Sequence, residues 1–133
     1  MKKLAKYYLF ILTFLVATSF TSDFQGVSDD ISAAIKSGNA TELSKLFNAT
    51  IDVTLPGNSN SYSKSQAEII VKDFFKKFPP KNFNIIHQGV SADGSQYSIG
   101  KYESASQSFR TYFLLKKFAE KSLIQQLRFE AEE

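Results

Sequence analysis

Asn82-Phe83-Asn84-Ile85-Ile86-His87-Gln88-Gly89-Val90-Ser91-Ala92-Asp93-Gly94-Ser95-Gln96-Tyr97-Ser98-Ile99-Gly100-Lys101-Tyr102 is the stretch that decides the fold. Upstream of it apolar residues recur at helical spacing, and from Asn82 onward the period changes to two. Asp93-Gly94 lies near its middle, and both residues tolerate the positive φ that a two-residue hairpin turn demands. Segments 82–91 and 95–104 therefore read as antiparallel strands. The alternation continues over 107–116 and 122–130, with Ala105-Ser106 and Ala119-Glu120-Lys121 as the intervening turns. Four strands joined in this way form a meander.

Moving towards the N-terminus, Pro79-Pro80 stops the best-defined helix, because proline donates no amide hydrogen and restricts the residue before it. Ile70, Phe74, Phe75 and Phe78 make its apolar stripe, with Lys72, Lys76, Lys77 and Lys81 on the solvated side. Ser63 or Ser65 serves as N-cap, and Ser65 with Glu68 has the spacing of a capping box. Pro56-Gly57-Asn58-Ser59-Asn60-Ser61 reads as a loop. It lacks the Gly-Lys-Ser/Thr ending that a phosphate-cradling loop requires. Ile51-Asp52-Val53-Thr54-Leu55 alternates as a strand with one apolar face.

Two further helices precede that strand. The first carries Ile31, Ala34 and Ile35 on one face, Asp29 and Asp30 in its first turn, where they complement the helix dipole, and Gly38 at its end. The second opens at Asn39 with Glu42 three residues on, followed by Leu43, Leu46 and Phe47 on one face. Helices segregated from a run of antiparallel strands define an α+β domain, with three helices packed on one face of the sheet.

The first 22 residues have a different character. Lys2, Lys3 and Lys6 form a basic head, Tyr7 to Ser22 carries no charge, and the small residues Ala17, Thr18 and Ser19 lie near its end. This is the pattern of a cleavable signal peptide, 1–22, ahead of a single domain, 23–133. The uncharged run is shorter than the roughly 18–20 residues that a spanning helix needs, so membrane contact is expected only through the leader before cleavage. The expected location is periplasmic or secreted. There is no cysteine, which excludes disulfides, thiolate metal sites and cysteine nucleophiles. Three of the 16 basic residues belong to the leader, so the remainder balances the 13 acidic ones. Nucleic acid, which demands a positive surplus, is not an expected partner.

Tyr62-Ser63-Lys64-Ser65-Gln66-Ala67, Asp73-Phe74-Phe75, His87-Gln88-Gly89, Ile99-Gly100, Phe109-Arg110-Thr111-Tyr112 and Gln126-Leu127-Arg128 together resemble an uncharacterised family of small exported proteins of Bacteroidota-type bacteria. The likeness spans roughly residues 26–130. The element order resembles the nuclear transport factor 2-like fold shared by ketosteroid isomerases and SnoaL-type cyclases. That resemblance implies a cone-shaped roll with a curved, mostly antiparallel sheet. It assigns no activity, because function resides in sites and not in folds.

The residues themselves argue against several chemistries. An isomerase of that fold uses a general-base Asp beside an oxyanion hole of Tyr and protonated Asp. Asp52 is the candidate base, yet it faces away from the core if Ile51, Val53 and Leu55 face inward. Glu103 and Glu130 lie near strand ends, so the catalytic pattern is incomplete and no catalytic residue is assigned. His87 is the only histidine, and a lone imidazole without cysteines makes no typical zinc site. No Gly-x-Ser-x-Gly elbow presents a serine nucleophile. Neither metal nor cofactor is expected.

Candidate ligand-binding residues are His87, Arg110, Tyr112, Gln126 and Arg128. Phe109, Thr111, Phe113 and Leu115 alternate with Arg110, Tyr112, Leu114 and Lys116, and Leu123, Gln125, Leu127 and Phe129 alternate with Ile124, Gln126, Arg128 and Glu130. A register pairing Phe109 with Phe129 sets Arg110 opposite Arg128 and Tyr112 opposite Gln126. Like charges placed so call for a nearby Glu or an anionic ligand, and a slip of one residue separates the arginines to opposite faces. Tyr112, Leu114 and Ile124 interrupt the second face with apolar surface, the mark of a partner or a two-fold contact. The expectation is a non-catalytic ligand-binding or protein-interaction module. Its expected partners are a second copy across the sheet face or a small apolar or anionic ligand. The alternative is an isomerase- or cyclase-type enzyme with Asp52, His87 or Arg110 in a pocket at the mouth of the cone.

Overall fold

The computed structural model describes residues 24–133, so the proposed leader lies outside the described residues. Helix α1 covers residues 24–36, α2 Ala40–Ser44 and α3 Lys64–Lys77. The strands are β1 Phe47–Leu55, β2 Asn58–Ser63, β3 Pro80–Val90, β4 Gln96–Ser104, β5 Ser108–Phe118 and β6 Lys121–Ala131. They form one six-stranded sheet in the order β2-β1-β6-β5-β4-β3. Only the β1–β6 pairing is parallel, which makes the curved sheet mostly antiparallel, with three helices on it as the sequence pattern predicts.

Local signals explain where the helices begin and end. Gly38 adopts φ +64°, and the Asn39 amide reaches back to the Ala34 carbonyl at 2.9 Å, so α1 closes on a left-handed glycine cap. The Asn39 side chain then accepts from the Glu42 amide at 3.0 Å and starts α2. That helix lasts one turn only. Phe47, expected on its apolar face, opens β1 and is buried there. The capping box of α3 is Ser63 with Gln66, not Ser65 with Glu68. Glu68 is engaged elsewhere, accepting from the Ser44 hydroxyl at 3.0 Å.

The segment expected to be a loop before α3 is instead the edge strand β2, a hairpin partner of β1 folded back at Pro56-Gly57. Its residues, Asn58-Ser59-Asn60-Ser61, are poor strand formers by composition. Pairing with β1 supplies what propensity lacks.

The core lies between the helices and one face of the sheet. Ala67, Val71, Phe74 and Phe75 are the buried positions of α3, while Ile70 and Phe78 are half-buried. Phe74 stacks on Phe129 at 4.5 Å between ring centres and meets Phe109 edge-on at 5.0 Å. Tyr102 is fully buried, and its hydroxyl donates to the Phe78 carbonyl, tying the end of α3 to β4. That burial pushes the Tyr102 phenol well above its usual pKa. Gly100 leaves room for the Phe83 ring, because a Cβ there would sit 2.6 Å from two of its carbons. The interior is thus filled by aromatic rings.

Candidate functional site

Register places the outward residues of all six strands in rows across the helix-free face. One row runs Ser61, Asp52, Gln126, Leu114, Tyr97 and Gly89. The next runs Ser59, Thr54, Arg128, Tyr112, Ile99 and His87, and a third Glu130, Arg110, Lys101 and Asn84. All five residues singled out from the sequence, His87, Arg110, Tyr112, Gln126 and Arg128, therefore share this face.

The register is neither of the two weighed from the sequence. Phe109 pairs with Ala131, so Arg110 faces Glu130 and Arg128 faces Tyr112. The two arginines keep a common face but are not opposite each other, which removes the like-charge conflict. Arg110 lies between the carboxylate-bearing Glu130 and Lys101, and Lys101 approaches Glu103 at 3.5 Å. Ile124, expected on this face, is in the core. The reason is a bulge: Leu114 pairs with Gln126 but Leu115 with Ile124, so Gln125 is the extra residue and the side-chain phase reverses. Gln125 accepts from the Asn48 side chain at 3.1 Å.

The centre of the face is a connected ladder. The His87 ring nitrogen lies 3.3 Å from the Tyr97 hydroxyl. The Tyr97 and Tyr112 rings are near-parallel, at 22°, with centres 6.1 Å apart. The Arg128 guanidinium sits 5.1 Å over the Tyr112 ring and donates to the Gln126 side-chain oxygen at 3.2 Å. Such an exposed cation–π contact contributes about 0.5–1 kcal/mol, a modest bias of the side chain toward this orientation. Gly89 makes the ladder possible, since a Cβ there would collide with the Tyr97 ring. Leu114 is 8% exposed although it points away from the helices, between Tyr97 and Gln126 in register.

Tyr97, Ile99 and Lys101 were not singled out from the sequence, although the alternation over 95–104 puts them on one face. The missing step was the pairing of that strand with β5.

Asp52 also faces outward, as its strand pattern predicts, and accepts from the Ser61 hydroxyl. The mouth between α1 and the β3–β4 hairpin holds an open hollow of about 220 Å³, lined by Phe24, Gln25, Ser28, Gln88, Tyr97 and Ser98 among others. None of Asp52, His87 and Arg110 lines it. Asp93, in the hairpin turn, is held below the usual carboxylate range by the Ser95 hydroxyl and amide, with Lys116 at 3.6 Å adding to the effect. Among the described residues no three His, Asp or Glu side chains gather to hold a metal ion.

Three helices on a curved sheet of this strand order define a nuclear transport factor 2-like domain, and comparison with solved structures agrees. A protein of that fold and unknown function from Silicibacter pomeroyi superposes with a TM-score of 0.61 at 11% identity, covering 87% of this chain and 98% of that one. The chain itself belongs to the DUF4783 family, a domain of unknown function whose model matches residues 28–130. It is similar to family members from Bacteroides ovatus (31% identity, TM-score 0.73, covering 78% of this chain and 94% of that one) and Bacteroides uniformis (30%, 0.74, 79% and 96%). No curated protein matches it.

Proposed function

We propose that this is an exported, non-catalytic binding domain that engages its partner through the helix-free face of the sheet. One observation carries the reading: the His87–Tyr97–Tyr112–Arg128 ladder is held together across four strands on the face that no helix covers. Ordering long side chains before binding lowers the entropic cost of binding. Aromatic and arginine side chains are also those that most often anchor interfaces. The polar rim of Gln126, Arg110, Lys101 and Glu130 suits either a second copy across the face or a small apolar or anionic ligand. The hollow at the mouth is lined by none of Asp52, His87 and Arg110, and the interior beneath α3 is packed with Phe74, Phe109, Phe129 and Tyr102, which supports binding over catalysis.

Native mass spectrometry of the mature protein, isolated gently from the cell envelope, tests this. A dimer or a stoichiometric added mass is expected, starting near residue 23, and Tyr112→Ala should lose it while keeping its melting temperature. A clean monomer in both wild type and variant, or an intact leader in the cytoplasm, would sink the proposal.

A further inference from the structure

The two edges of the sheet are guarded very differently. β2 is a short polar strand, whereas β3, at the opposite edge, runs through Ile86 and Val90, which are 64% and 66% exposed. Proteins commonly blunt such edges with lysines, acidic residues or proline, because an unpaired strand offers its free backbone groups to another chain. From Asn82 to Ala92 there is no Lys, Arg, Asp, Glu or Pro. A bulge between Ile85 and His87 leaves Ile86 without a partner on β4, and from His87 to Val90 the strand pairs regularly with β4.

We propose that β3 pairs antiparallel with β3 of a second copy, about a two-fold axis at Gln88. The spacing is self-complementary, as an isologous contact requires. Gln88 meets its own counterpart, Ile86 meets the partner's Val90, and the two exposed apolar side chains on each copy cover one another. On the other face Gly89 meets the partner's His87, with this chain's own Tyr97 ring lying over the glycine. No charged residue falls within the paired stretch, so nothing repels. The joined sheets form one surface, with the aromatic ladders of both copies on the same side. A seam of about five residues is small, which places it among weak, concentration-dependent contacts.

The chain has no cysteine, so trapping by disulfide is clean. Directly opposite residues in an antiparallel pair lie about 4.5–5.5 Å apart at Cα, inside the bridgeable range of about 4.4–6.8 Å. Under mild oxidation, Gln88→Cys should form a covalent dimer at least tenfold faster than Ile69→Cys, a control at a 60% exposed position on α3. Adding Ile86→Lys should return Gln88→Cys to the control rate, with circular dichroism unchanged. A Gln88→Cys rate no greater than the control, a rate insensitive to Ile86→Lys, or faster trapping at Val90→Cys would overturn the proposal. Tyr112→Ala in the Gln88→Cys background should leave trapping unchanged, so failure of this edge and failure of the binding face are read separately.

Discussion

Thr111 occupies a position where its chemistry conflicts with its surroundings. It is fully buried on the core side of β5, between Gly100 and Phe129 in register, and its hydroxyl has no hydrogen-bond partner. An unpaired buried polar group costs roughly 1–3 kcal/mol. Valine has nearly the same shape and brings no such group, so Thr111→Val removes the penalty without opening a cavity. The expected gain is about 1–2 kcal/mol. At roughly 4 °C per kcal/mol for a domain of this size, the melting temperature should rise by about 4–8 °C. Thr111→Ser separates the two effects, keeping the hydroxyl while losing a methyl group, and should cost about 1 kcal/mol. Urea unfolding of the three proteins, with a common slope, measures both differences. If Thr111→Val were destabilised by more than about 0.5 kcal/mol, the hydroxyl would have to be satisfied in the folded protein, and the argument from burial would fail.

Phe74→Ala should cost about 3–5 kcal/mol, since the ring packs against Phe109, Phe129 and Tyr102; a loss below about 1 kcal/mol in chemical denaturation would mean that α3 presents another face. The β5–β6 turn sets Ala119 at φ +47° and Glu120 at φ +71°, where Asn-Gly is favoured, so the double change Ala119→Asn, Glu120→Gly should stabilise by about 1–2 kcal/mol in calorimetry. The raised pKa of Tyr102 means that the unfolded chain loses this proton first, near pH 10, while the folded protein keeps it. Its contribution is therefore intact below about pH 10 and falls away as the pH rises further, and Tyr102→Phe should flatten that decline in a melting-temperature profile. Asp93 has the opposite sign: its lowered pKa stabilises above the ordinary carboxylate pKa and is lost as the pH falls through the folded value, an effect that Asp93→Asn should abolish.

Alternation along β5 was sufficient to put Arg110, Tyr112 and Leu114 on one face and Phe109 and Phe113 on the other, because side chains of a strand alternate whatever the strand pairs with. It also turned Asp52 outward. Ile124 was misplaced for the same reason: alternation has no means of registering the bulge at Gln125, which arises from how β6 meets β5. Tyr97 was overlooked because its role depends on two neighbours on other strands, Gly89 across the hairpin on β3 and Tyr112 on β5. β2 was missed because its polar residues form a strand only when β1 offers a ladder to complete.

The chain by itself determined what is settled within a few residues. The Gly38 cap, the Pro79-Pro80 stop, the change of period at Asn82 and a turn at Gly94 all act through local sterics and local hydrogen bonds, and together they specify an α+β domain. The turn spans 91–95 with only Gly94 at positive φ, not the two-residue turn expected from Asp93-Gly94. The register of β5 against β6, the bulge, the edge strand β2 and the ladder from His87 to Arg128 were decided only in the tertiary structure. Each depends on pairings between distant segments, and many registers satisfy the same alternation. Close packing of Phe74, Phe109, Phe129 and Tyr102 around one shared core selects among them.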